Sequence, residues 1–181
     1  MINKGQIVEI PPTSSIYNDD EVVFSSKKDE LIRKTAKRNY GLFDGFLVGE
    51  HQGVEQFKLG QRKGINVGGK AAPLYVIGIN AATNQLFVGK GEDHPGLWTD
   101  VLSFSTDRIE LNDLNPSPEE SELGIAVSIH SPIADIDIIA TLYLFDSTLF
   151  LEFEAPVSIA IQDHPLEIYF EDHSASTIKI I

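Results

Sequence analysis

The chain has 181 residues, of which 42% are hydrophobic and 23% charged, an ordinary balance for a folded protein with one large or two small cores. It contains no cysteine, which excludes a disulfide framework, a thiolate metal site and any reaction that carries sulfur on a side chain, and a cytoplasmic setting is expected. The net charge of -13 lies wholly in the second half: residues 1–100 hold twelve Lys/Arg and twelve Asp/Glu, whereas residues 101–181 hold Arg108 and Lys179 against fifteen acids. The two halves therefore face different partners.

From the N-terminus, Ile2 to Ile10 alternates as a strand does, and Pro11-Pro12 closes it. Ser26 and Asp29 form a capping-box pattern, and the residues that follow place acids in the first turn and Lys34, Lys37 and Arg38 in the last, which predicts one short helix over Lys27 to Arg38. Leu74 to Ile79 and Gln85 to Lys90 flank Asn80 to Asn84 and read as a hairpin with a five-residue loop. Asn112 to Glu122, with Pro116 and Pro118, has the composition of a linker.

Beyond it, Ile125 to Ile129, Ile136 to Phe145, Leu149 to Glu154 and Leu166 to Phe170 are apolar segments of strand length. In the third, Leu149, Leu151 and Phe153 alternate with polar or opposed positions that include Glu152 and Glu154, the period of a half-buried strand. The longest apolar run, near Ile136 to Phe145, is broken at Asp137, so neither a signal peptide nor a membrane span is expected. The expected fold is mainly β: a small central β domain over 1–98 with one short helix, a linker and first barrel segment over 99–122, and a C-terminal antiparallel β-barrel over 123–181.

Three glycine-framed polar segments carry the chemistry: Gly49-Glu50-His51-Gln52-Gly53, Gly60-Gln61-Arg62-Lys63-Gly64 and Gly89-Lys90-Gly91-Glu92-Asp93-His94-Pro95. Glycines at both ends let another molecule approach the main chain closely. Between Gln56 and Gly91 stand Lys58, Arg62, Lys63, Lys70 and Lys90 with no acid, a local charge of +5. Arg62 offers a planar fork to a phosphate or base edge and Lys63 a point charge, whereas Gln61 either bonds a base or its own backbone. His51 and His94 are each a stacking group for an unpaired base or a structural histidine that holds a loop. His130, His164 and His173 have no metal-ligand spacing, and Gly64 to Gly69 lacks the order and following helix of a dinucleotide loop. No metal and no cofactor are expected.

From Gly49 to Leu97, through GEHQG, FKLGQRKGINVGG, PLYVIGINAATNQLFVGKG and EDHPGL, the chain resembles the non-catalytic half of the tRNA-specific 2-thiouridylases, which place sulfur on a wobble uridine. Lys4 to Glu9 is similar to the strand that opens that family's central domain, residues 11 to 45 to an insertion found in some members, and Phe153-Glu154-Ala155-Pro156 to the end of a shared outline. The resemblance implies tRNA as partner, with Lys58, Gln61, Arg62, Lys63, Lys70, Lys90, His51 and His94 as RNA-binding candidates. Members also carry an ATP pyrophosphatase domain with an SGGxDS loop and two sulfur-relaying cysteines, and this sequence contains neither. The chain alone is thus expected to bind tRNA without catalysis, beside a separate ATP pyrophosphatase-type protein. Where the family's barrel has Arg-Tyr-Arg-Gln, this chain reads Ser128-Ile129-His130-Ser131, and Thr-Pro-Gly-Gln is replaced by Ile161-Gln162-Asp163-His164. With its acidic excess, that barrel is alternatively a protein-interaction surface in a degenerate paralogue, and a third reading makes the chain a piece of a complete enzyme.

Overall fold

The computed structural model describes residues 4–18, 22–36, 38–112, 117–171 and 177–181. Its strands are β1 (Gly5–Glu9), β2 (Phe46–His51), β3 (Leu74–Asn80), β4 (Gln85–Lys90), β5 (Trp98–Ser105), β6 (Ile109–Asn112), β7 (Ile125–His130), β8 (Ile138–Phe145), β9 (Thr148–Ser158), β10 (Leu166–Phe170) and β11 (Thr177–Ile180), with helices α1 (Lys27–Ala36) and α2 (Pro118–Leu123). The chain divides into two compact units. The first comprises Met1–Val23, Ala36–Trp98 and Ser158–Ala160, and the second Phe24–Thr35, Thr99–Val157 and Ile161–Ile181.

The first unit is built on a four-stranded sheet in the order β2-β1-β4-β3, with β1 and β4 parallel and the outer pairs antiparallel. Both faces are covered. Ile7, Leu74, Val76, Leu86 and Val88 point to one side, where Phe57, Leu59, Ile65 and Val67 of the following loop lie over them. Val8, Ile77 and Phe87 point to the other, against Ile10, Tyr40, Leu97 and Ile159. Burial on both faces explains why Gln85 to Gly89 of β4 reads as a continuous buried run instead of an alternating one. The hairpin expected from sequence is present, with Asn84 taking the left-handed conformation at φ 52° that asparagine tolerates in a turn.

The second unit holds a curled seven-stranded antiparallel half-barrel in the order β5-β9-β8-β7-β10-β11-β6. Its edge strands β5 and β6 are consecutive in sequence, joined only by the short turn Thr106–Arg108. A flat sheet of seven strands is roughly 29 Å wide at about 4.8 Å per strand, whereas three residues reach about 10 Å, so the connection requires the sheet to curl. The inside is filled by Leu142, Leu149, Leu151, Phe153, Val127, Ile129, Ile168 and their neighbours. Leu149, Leu151 and Phe153 share the inward face as the sequence pattern requires.

Phe150 is buried as well, because α1 covers that part of the outer face: Leu31 packs with Val101, Tyr143 and Phe150. Lys27 and Lys34 reach Glu152 at 2.7 and 3.4 Å, and Lys28 reaches Asp146 at 2.7 Å. The helix expected over Lys27 to Arg38 ends at Ala36, and the expected Lys37 lies outside the described residues. The stretch read as linker contains α2, whose start is a capping box between Ser117 and Glu120 with proline in the first turn. That signal was present in the sequence beside the prolines that masked it.

Candidate nucleic-acid interface

Residues 57–73 leave β2's side of the sheet and return to β3, and backbone bonds tie both ends of this loop down. Gly60 donates to the Val76 carbonyl at 2.8 Å, Val76 donates to that of Gln61 at 2.9 Å, and Gly91 donates to that of Pro73 at 2.9 Å. Gly60 and Gly64 take φ of 78° and 85°, the region in which a side chain is strained, so the turn between them needs glycine at each end. With the apolar side chains directed at the sheet, Lys58, Arg62 and Lys63 project into solvent. Lys90 is exposed at the end of β4 opposite Leu74, on the margin of the same loop. Arg62 and Lys70 line a shallow cleft of about 370 Å³ that is completed by Val67, Gly69 and Ala71 to Leu74.

Six of the eight expected RNA-binding residues therefore lie on or beside one loop, and four of the five cations among them are free of carboxylate partners. Among the described residues Lys58, Arg62, Lys63 and Lys90 have no carboxylate partner, whereas Lys70 is ion-paired to Glu9. Gln61 is committed to the turn: its Oε1 accepts from the Lys58 amide at 3.0 Å and its Nε2 donates to the Lys63 carbonyl at 2.8 Å. It shapes the loop, its amide bonded to the backbone on both sides of the turn.

The two histidines correct the sequence expectation. His94 is 1% exposed, with Nε2 donating to the Ile10 carbonyl at 2.9 Å and Nδ1 accepting from the Gly96 amide at 3.0 Å. Its ring meets Tyr17 edge-on and fills the space in which a Cβ on Gly89 would stand. Burial pushes its pKa below the usual histidine value, against the smaller opposing effect of the Ile10 carbonyl. His51 is 4% exposed, accepts from the Gly53 amide at 3.0 Å and meets Phe57 edge-on. Both rings fix glycine turns from inside and cannot stack on a base. Flanking glycines signalled the close approach, but not that the ligand approaching was the protein's own ring.

Among the described residues no group of three His, Asp or Glu is placed to hold a metal, and no helix is long and apolar enough to cross a membrane. A mixed sheet carrying a clamped cationic loop and a curled antiparallel half-barrel together define a β-rich protein of two units. Residues 28–90 match the tRNA methyl transferase PRC-barrel domain. The chain is 36% identical over 156 residues to the tRNA-specific 2-thiouridylase MnmA of Christiangramia forsetii, covering 84% of this chain and 38% of that protein. It is 31% identical over 172 residues to that of Flavobacterium johnsoniae (93% and 42%) and 33% identical over 153 residues to that of Karelsulcia muelleri (84% and 37%). The chain belongs to the tRNA-specific 2-thiouridylase family, corresponds to its C-terminal part, and spans about two fifths of the length of the relatives it matches.

Proposed function

We propose that this chain is a non-catalytic tRNA-binding module that grips the phosphate backbone with the loop 57–73 and its margin. The observation that carries the reading is the cluster of Lys58, Arg62, Lys63 and Lys90, exposed on one clamped loop and its border with no acid between Gln56 and Gly91. Charges held on a pre-formed loop lose little freedom on binding, and each neutralised phosphate releases counterions. Because the chain has no cysteine, sulfur chemistry on a bound tRNA falls to a separate ATP pyrophosphatase-type protein, or to the remainder of a longer chain.

Binding of tRNA measured across a salt series tests this. Four free cations give a log-log slope of roughly -3 to -4, at about 0.9 per contact. Replacing Arg62 and Lys63 together by alanine should weaken binding and flatten the slope by about 2. No binding even at low salt, or an unchanged affinity and slope in the double variant, overturns the proposal.

A further inference from the structure

β2 is an edge strand, and it carries an apolar stretch that nothing in the first unit covers: Phe46 is 66% and Leu47 61% exposed, just after the exposed turn residue Phe43. Edge strands are ordinarily protected by charge, proline or cover, and this one begins Phe-Leu-Val. Strand register separates the two side chains. Leu47 stands opposite Val8, whose side chain belongs to the core on the far face. Phe46 stands opposite Glu9, on the face of Ile7 and of the basic loop.

Two further contacts fix where the loop runs beside this strand. Val67 lies against Gly49 of β2, so close that a Cβ on that glycine would meet its Cγ2 at 3.3 Å. Three residues later Lys70 binds the carboxylate of Glu9, the cross-strand neighbour of Phe46. Val67 thus lies beside Gly49, and the Lys70 ammonium reaches the strand pair Glu9–Phe46, which places the exposed Phe46 on the side of the sheet where Arg62 and Lys70 line the cleft. A bare aromatic face beside cations is the pairing that binds a splayed nucleotide, base on the ring and phosphate on the cation. The free guanidinium of Arg62 on the same cleft favours an anionic partner over an apolar protein surface.

We infer that Phe46 is a stacking platform for an unpaired base of the RNA whose phosphates the loop holds, with Arg62 taking the adjoining phosphate. This rests on the tRNA-binding reading and adds to it a preference for single-stranded RNA. The test compares a short single-stranded uridine oligonucleotide with an RNA duplex of equal length, using the wild-type chain and Phe46→Ala, Phe46→Trp and Leu47→Ala. Phe46→Ala should lose about tenfold or more in affinity for the single strand, the range of one stacked base, with the salt slope and duplex binding unchanged. Phe46→Trp should restore affinity, and its fluorescence should be quenched as the oligonucleotide binds. Leu47→Ala, equally exposed on the opposite face, should behave as wild type. The inference is overturned if the wild type binds RNA while Phe46→Ala matches it on the single strand, or if Phe46→Ala and Leu47→Ala lose affinity alike. A change in oligomeric state in Phe46→Ala without loss of RNA affinity overturns it too, by making the edge a protein contact. If the wild type binds neither RNA, the tRNA-binding reading itself has failed.

Discussion

His94 shows how a residue with the chemistry of a ligand contact becomes a structural part. Both ring nitrogens are used in the neutral form, Nε2 as donor to Ile10 and Nδ1 as acceptor from Gly96. Protonation would put a second N–H against the Gly96 amide, which adds to the burial that already disfavours the charged ring. The sign follows from linkage: with the native pKa below the unfolded one, the stability contributed is complete above the ordinary histidine value and is lost as pH falls below it, because the unfolded chain takes up the proton first. Urea midpoints between pH 8 and pH 5 should therefore decline in the wild type, and less steeply in His94→Gln. Gly89→Ala, whose Cβ would stand 2.5 Å from the His94 ring, should cost about 1–3 kcal/mol on its own.

At the scale of elements, α1 is held by one buried side chain and a ring of ion pairs. Leu31 is fully buried among Val101, Tyr143 and Phe150, so Leu31→Ala should lower stability in urea by about 2–4 kcal/mol. Glu152 accepts from both Lys27 and Lys34 at partly exposed positions, so Glu152→Gln should cost about 1 kcal/mol or less, and less still in high salt. The legibility of the elements followed the range of their interactions. The hairpin of β3 and β4, the capped helix and the alternation of β9 are written in neighbouring residues and were readable. The parallel pairing of β1 with β4 joins residues about eighty apart and left no local trace. β2 was not recognised because its apolar residues Phe46 and Leu47 face solvent and glycine interrupts it, so the hydrophobic period points nowhere. The basic loop was legible as composition. That Gln61 shapes this loop, and that His51 and His94 hold the turns at Gly53 and Gly96, depends on hydrogen bonds to backbone amides and carbonyls, which residue type alone does not reveal.

For the whole molecule, the distribution of charge decides which part the proposed tRNA contact could use. The two cations of residues 101–181 are already engaged inside the second unit: Arg108 donates through Nε to the Ile181 carbonyl at 2.7 Å and lies over the Phe104 ring, and Lys179 is 3.3 Å from Glu167. These engagements compete with a phosphate for the two cations, and the fifteen acids of the same stretch of sequence oppose one. The salt dependence of the proposed binding should then owe nothing to residues 101–181. Arg108→Ala and Lys179→Ala, measured singly against tRNA over the same salt series as the Arg62 and Lys63 double variant, should each leave the slope within experimental error of wild type. A slope flattened by about 1 in either would mean that the half-barrel touches the backbone directly, and that the acidic unit contributes to the grip instead of confining it to the loop.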